Sequence, residues 1–396
     1  MKLYIYILIP ILFAITSCNK AYMKEDIILS EDKIVTITPI YEGDSIYSPF
    51  SLNEYIDSIK YIKLDLSDES LIGEIAEIDI HKDHIYIMDI QTSSIFIYTL
   101  NGEFVSKIHS IGNGPQEYIQ LDYFSIDKNS DQLIATDLTG YWVLRYDLEG
   151  NFIKKQKIPF WIDGLYPTEE KGYALFANKR NNKQYFNQEF SLYIVDSLMK
   201  VKKQYFPYNS ENYGNLQVPA PGNGGFYTAN SKSHYYSMYT DTVYKIDTDV
   251  LKKKYIFDLG KFAFNTALEK QSKEEFQEYF KKKAYAGVHN VLENDNFIYF
   301  QTYFFNDIFG WFGFYDKKSG NILNRITYYL DNNLFFLSCP NTYDDFFITA
   351  IPNDVFSDYQ LPSGKINSRQ EQVKKILENY TEEDNPIIAL YKLKNF

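Results

Sequence analysis

The chain has 396 residues, a formal charge of −12 and 45% hydrophobic residues, enough apolar material for one large domain or two to three ordinary ones. An acidic surface repels phosphate backbones, which argues against nucleic-acid binding. The outliers are aromatic, 37 Tyr and 30 Phe, and such side chains suit pleated, half-buried surfaces, so the composition leans towards β structure.

The first elements form an export signal. One Lys is followed by an apolar stretch over 3–15, then Thr16, Ser17 and Cys18; the stretch is short for a membrane span and has the length of a signal h-region. Ile15-Thr16-Ser17-Cys18 resembles the lipobox of bacterial lipoproteins, in which the signal is cut before a cysteine that becomes lipid-modified. This implies a signal peptide over 1–17 and a mature protein held on a membrane through lipid on Cys18, each buried methylene adding about 0.8 kcal/mol. Asn19-Lys20-Ala21 lacks the acidic pair that would suggest surface export, which favours an outer-membrane anchor facing the periplasm over a surface-exposed one. Residues 18–50 read as a tether and N-terminal extension, polar at first apart from Ile27-Ile28-Leu29. With Cys18 acylated, Cys339 has no partner and reads as a buried, inert thiol.

From residue 51 onwards one unit repeats. Ser94-Ile-Phe-Ile-Tyr-Thr-Leu-Asn-Gly-Glu-Phe104 and Trp142-Val-Leu-Arg-Tyr-Asp-Leu-Glu-Gly-Asn-Phe152 are each a strand, a glycine turn and a second strand. The unit recurs over 190–206, 242–257 and 311–329. The first apolar residues after the turns, Phe104, Phe152, Val201, Leu251 and Ile322, step by 48, 49, 50 and 71 residues, and the last step holds an insertion. Two further short strands precede each hairpin. Four strands per period of this length predict the blades of a β-propeller. Five full units end near Leu330, and a sixth begins over 341–350 and resumes over 386–393. The strand Lys60-Tyr-Ile-Lys-Leu-Asp65 is expected to supply its missing outer strand and close the ring.

The fold expected for 51–396 is therefore all-β, a six-bladed propeller with four-stranded blades, an N-terminal strand closing the last blade, and two helical insertions at about 265–286 and 366–381. Ser272 with Glu275, and Ser368 with Glu371, have capping-box spacing at the starts of those helices.

Between the first two blades lies Ile111-Gly-Asn-Gly-Pro-Gln-Glu-Tyr118. With the lipobox, the six blades and this segment, the chain resembles the six-bladed β-propeller lipoproteins of Bacteroidetes, whose first blade ends in an Ile-Gly-x-x-Gly-x-Gly-Pro-Gly-Glu-Tyr-like phrase. Gly112, Gly114, Pro115, Glu117 and Tyr118 match; the connector is shorter and Gln116 stands where that phrase has glycine. The resemblance implies an envelope address and a binding or recognition role rather than a reaction. The segment itself lacks a P-loop Lys-Ser or Lys-Thr and is followed by a strand, so it reads as a structural joint in which Glu117 accepts backbone hydrogen bonds.

Propeller topology separates two faces. Connectors between blades share one face with the loops joining second and third strands, and ligands are expected there. Asp89, Gln91, Asp137, Asn178, Lys179 and Arg180 lie on it, as do Asn306, Asp307 and Trp311, the segment 209–225 and, beside the loops, Trp142. Amides, rings and mixed charges suit a glycan, a peptide or a partner envelope protein. No cofactor is needed for that role. The alternative is a metal-dependent hydrolase or lyase, with Glu74, Asp122, Asp163 and His289 at the starts of inner strands holding a divalent ion such as Ca²⁺ in the central channel. His81-Lys-Asp-His84 spans a turn on the other face and reads as structural.

Overall fold

The computed structural model describes residues 26, 28–40, 50–169, 171–213, 225–247, 250–265, 267–268, 271–282, 286–304, 310–325, 328–329, 335–336 and 341–396. They form a ring of six antiparallel blades, each ordered from the axis outwards. Blade 1 is Ile75–His81, His84–Asp89, Ser94–Thr99 and Phe104–Ile108; blade 2 is Tyr123–Asp127, Gln132–Asp137, Trp142–Tyr146 and Phe152–Lys157. Blade 3 is Gly164–Pro167, Tyr173–Phe176, Glu189–Val195 and Val201–Tyr208, and blade 4 is Phe226–Ala229, Lys232–Tyr235, Thr242–Asp247 and Val250–Phe257. Blade 5 is Ala286–Glu293, Phe297–Phe304, Gly310–Asp316 and Ile322–Arg325. Blade 6 takes Asn341–Tyr343, Phe346–Ile351 and Ile387–Leu393 from the end of the chain and Ile56–Ile62 from its beginning.

The repeat is visible in detail. In blades 1 to 3 the third and fourth strands slip register at the same place, next to Tyr98, Tyr146 and Val195. Gly102 and Gly150 adopt φ of 90° and 91° in the hairpin turns of blades 1 and 2, the left-handed region where a Cβ is strained. Tyr98–Phe104 and Tyr146–Phe152 make equivalent edge-on pairs with centroids 5.6 and 5.9 Å apart. Alternate strand residues fill the spaces between neighbouring blades. Ile97 and Ile108 of blade 1 pack with Leu144 and Ala135 of blade 2, and Ile78 and Ile80 of blade 1 pack with Ile348 and Ile388 of blade 6. The core is thus a ring of inter-blade layers around a polar axis.

Ring closure follows the expected scheme, with the N-terminal strand starting four residues earlier. Ile56–Ile62 runs antiparallel to Ile387–Leu393, Ile62 opposite Ile388 and Ile56 opposite Leu393. Pairing Ile56–Ile62 with Ile387–Leu393 covers an edge that would otherwise be open and closes the ring.

Two local expectations are corrected. Part of the stretch read as a tether is sheet: Ile28–Ile37 lies parallel to Val250–Phe257 as a fifth strand of blade 4. Its alternating Val35 and Ile37 pack onto the core beside Phe257, and the strand covers an outer edge that would otherwise be open. Phe50–Ser51 pairs with Tyr328–Tyr329. Among the described residues the α-helices are α1 (Ser210–Tyr213), α2 (Lys273–Lys282), α3 (Asn353–Ser357) and α4 (Ser368–Leu377). Helix α2 has the anticipated box, Glu275 N–H donating to Ser272 Oγ at 3.3 Å and Ser272 N–H to Glu275 Oε2 at 3.2 Å. Helix α4 is capped one residue earlier than expected, by Asn367 with Gln370; the Asn carbonyl competes with the Ser hydroxyl as an N-cap acceptor.

Candidate functional site

The connector face is built by buried carboxylates that staple loops. At the end of the second strand of blade 1, Asp89 accepts from the N–H groups of Gly73 (3.0 Å), Glu74 (2.9 Å) and Gln91 (2.9 Å) and from Thr92 Oγ1 (2.7 Å). Burial pushes its carboxyl up, and these bonds outweigh that and hold it below the ordinary range. Asp137 does the same work in blade 2, accepting from Ile119 and Gly140 N–H at 2.9 and 2.6 Å. In blade 3, Asp163 takes Asn178 Nδ2 at 2.8 Å and Arg180 Nε at 2.7 Å. Of the residues expected to meet ligand, Asp89, Asp137 and Asn178 are therefore loop anchors, buried and already bonded.

The aromatic expectations divide similarly. Trp311 is buried in blade 5. Trp142 is half-buried, and the Lys155 and Lys157 ammoniums lie 4.6 and 4.3 Å from its ring centroid, so cations of the chain itself occupy it. Lys179 is enclosed by the rings of Tyr208, Tyr213 and Tyr239, at 5.0 to 5.3 Å. Gln91 is exposed, and the Arg180 side chain remains 44% exposed. Cys18, Asn306, Asp307, Cys339 and most of 209–225 lie outside the described residues.

The Ile111–Tyr118 segment behaves as the joint it was read to be. Gly114 N–H donates to Glu117 Oε2 at 2.6 Å, and the buried Tyr118 hydroxyl donates to Ser93 O at 2.8 Å. A Cβ on Gly112 would lie 2.1 Å from Glu117 Oε2, so glycine is required for the carboxylate to fold back. With Pro115, Ile119, Trp142 and Lys155 this joint borders a cavity of about 490 Å³.

A second connector-face cleft of about 370 Å³ lies between blades 2 and 3, lined by Asp122, Tyr141, Phe160, Trp161, Asp163 and Arg180. Burial raises the Asp122 carboxyl to about 6, opposed by a 2.7 Å bond from Leu138 N–H and reinforced by Asp137 and Asp163. Two of the four proposed metal ligands, Asp122 and Asp163, thus meet here, but Glu74 is exposed on blade 1 and His289 lies in blade 5. Among the described residues no three His, Cys, Asp or Glu side chains are grouped to hold a metal ion. The physical reason is that inner-strand starts face neighbouring blades and loops as well as the axis, so equal position in the repeat does not bring side chains together. His81 and His84 also part, His81 Nε2 reaching Asp131 at 2.8 Å and His84 Nδ1 the Lys82 carbonyl at 3.0 Å.

The turn face holds the feature that sequence reasoning missed. First-to-second-strand turns of blades 2 to 6 surround a cavity of about 490 Å³ at the channel mouth, with Asp127, Thr168, Asn230, Glu293, Asp295 and Asp344 on its wall. Glu293 is almost fully buried yet ionised. Burial alone would raise its pKa, but Lys254 (2.9 Å) and Lys317 (2.6 Å) outweigh that and bring it to about 2. Tyr227 and Tyr255 hydroxyls also donate to it, at 3.2 and 2.8 Å. For the small void below this cavity, the available sequence signal was Glu77 and Asp79 alternating with Ile78 and Ile80 in an inner strand, acids on one face of an otherwise apolar segment, where buried carboxylates are costly unless they serve a purpose.

A family profile described as a domain of unknown function, DUF4934, matches residues 33–392. The chain belongs to the DUF4934 family. The matched segment starts inside the strand laid on blade 4 and ends in the third strand of blade 6, so the family is defined over the whole propeller. Among solved structures, an exported-protein candidate from Bacteroides fragilis is 16% identical, with a TM-score of 0.71 over 92% of this chain and 100% of that one. A DUF4221 family member from Bacteroides vulgatus is 11% identical, with a TM-score of 0.48 over 86% of this chain and 98% of that one. The first likeness shows the six-bladed fold. No curated protein matches the chain.

Proposed function

We propose that this DUF4934 propeller is a lipid-anchored cell-envelope recognition module that engages a peptide segment of a partner envelope protein through the connector face of blades 1 to 3. The observation that carries this reading is where apolar surface is exposed. Of the twelve large apolar side chains exposed among the described residues, six sit on these loops: Leu71, Ile90, Ile111, Ile119, Trp161 and Tyr185. Exposed apolar groups gathered on one face and rimmed by polar ones mark interaction surfaces. They flank the clefts at Asp137 and Asp163, where buried staples hold the loops in shape before binding and so reduce the ordering cost. The lipobox-like Ile15-Thr16-Ser17-Cys18 supports an anchor on Cys18.

The test uses intact cells making the full chain with a photo-crosslinking residue at Ile119, at Trp161 or at Leu198, the last an exposed residue in a hairpin turn of blade 3. A discrete crosslinked partner is expected from Ile119 and Trp161 and not from Leu198. Equal labelling from all three positions, or none, would remove the basis for a connector-face interface. The anchor is checked in the same cells, where Cys18→Ser should move the chain out of the membrane fraction.

A further inference from the structure

On the channel axis, one level below the turn-face cavity and sharing Tyr166 with it, is a void of about 20 Å³ lined by Glu77, Asp79, Phe124, Tyr166, Phe226 and Tyr227. Glu77 Oε2 accepts from Phe124 N–H at 2.8 Å. Its other oxygen, Glu77 Oε1, is buried without a hydrogen-bond partner among the described residues, as is Ser125 Oγ on the same wall. A buried carboxylate oxygen left unsatisfied forfeits its hydration without return, which a native fold tolerates where something else completes the site.

We propose that this channel, entered from the turn face, binds a compact polar ligand carrying a primary ammonium group, which donates to Glu77 Oε1. The site is independent of the connector-face interface, and either can fail without the other. Four aromatic rings and two carboxylates around one small void suit an organic cation, because ring faces attract positive charge while the carboxylates accept its N–H groups. Among the described residues no third His, Cys, Asp or Glu joins these two carboxylates to hold a metal ion. The size selects further. A void of this volume admits about one water-sized group, so an ammonium fits and a trimethylammonium does not.

The mouth above fits the rest of such a ligand. Six carboxylates line it, Asp127, Glu169, Glu293, Asp295, Asp344 and Asp345, against one lining ammonium, Lys128. Lysines answer three of them: Lys232 for Glu169, Lys254 and Lys317 for Glu293, and Lys392 for Asp345. Asp295 and Asp344 have no ion pair among the described residues. Thr168, Thr228, Ser231 and Asn230 add hydroxyl and amide groups for a hydroxylated body.

Proton balance follows from burial. Desolvation raises the Glu77 carboxyl to about 8, with the Phe124 N–H opposing and Asp79 adding to the rise. Asp79, itself raised by burial, Tyr123, Tyr166, Tyr227 and Tyr236 are the titratable groups around it, and Lys128 stands 3.9 Å from Asp79. At neutral pH Glu77 is therefore mainly the acid. When an ammonium arrives, Glu77 ionises, its proton leaves for solvent, and the pair is left charge-compensated.

Calorimetric titration of the full chain decides this, with ethanolamine and glucosamine as primary-ammonium probes and choline, N-acetylglucosamine and calcium chloride as comparisons. At least one primary amine should bind at least tenfold more tightly than its substituted counterpart, with net proton release when buffers of different ionisation enthalpy are compared. Glu77→Gln should weaken that binding at least tenfold. Asp295→Lys, at the exposed rim, should weaken it at least threefold, and this surface variant carries the test should Glu77→Gln fail to fold. Binding of choline as tightly as ethanolamine, uptake of calcium without any amine, binding indifferent to both variants, or no binding of either primary amine would each overturn the proposal.

Discussion

The two faces of this propeller are made by the same six blades and differ in almost everything else. First-to-second-strand turns are short and sharply bent: Lys82 and Asp83 in blade 1, and Asn230 and Ser231 in blade 4, all have positive φ. Such turns select Asn, Asp, Gly and Ser, so a polar ring at one end of the channel follows from turn chemistry. Connectors on the other face are longer, are held by the staples Asp89, Asp137 and Asp163, and so can afford exposed Ile111, Ile119 and Trp161. An acidic rim is therefore weak evidence for a site by itself. Glu77, Asp79 and Glu293 are different, because they lie in strands, where no turn requires them.

The comparison breaks most visibly at Glu293. Glu293→Ala would leave Lys254 and Lys317 facing each other with no counter-charge and remove an acceptor from Tyr227 and Tyr255. Breaking a buried ionic group by removing one partner costs about 3–5 kcal/mol, and urea unfolding should show a loss of that order. A loss under about 1 kcal/mol would mean that the lysines reach solvent and that the channel wall is looser than its geometry.

Glu77 sharpens the contrast through pH. Its carboxyl is raised from 4.5 in the unfolded chain to about 8 in the fold, so the folded state holds the extra proton. Its contribution to stability is full below pH 4.5 and is lost as pH rises through about 8, at up to about 1.4 kcal/mol per pH unit. Glu77→Gln removes that titration. The variant should match the natural chain near pH 5 and exceed it in melting temperature by a margin that widens towards pH 8. A constant margin across that range would show that Glu77 is solvated.

The contrast also marks how far sequence reading reaches. Repetition of about 49 residues, hairpin glycines and the split sixth blade define the ring because each depends on local chain geometry that spacing displays. Glu117 as a loop acceptor was legible for the same reason, its target lying three residues away at Gly114. That Asp89 and Asp137 staple loops was not legible, since whether a loop N–H or a ligand fills a carboxylate depends on neighbours 15 to 18 residues distant. The channel was harder still. Tyr166, Tyr227 and Glu77 belong to three blades, and their meeting depends on how each inner strand is rotated about the axis, which periodicity leaves open.

The smallest expected stability effect is also the one that separates recognition from folding. Ile111 and Ile119 are about half exposed, 52% and 46%; the Ile119 backbone N–H, not its side chain, holds the loop through Asp137. Replacing both by Ser removes apolar surface that the fold barely uses, and changes away from caps, cores and networks usually stay within about 0.5 kcal/mol. The double variant should therefore unfold within about 1 kcal/mol of the natural chain while losing the crosslink from Trp161 in cells. It should leave titration with a primary amine unchanged, because the turn-face channel lies at the other end of the axis. Loss of both activities together would mean that the two faces are coupled through the blades, and loss of neither would move the interface away from these loops.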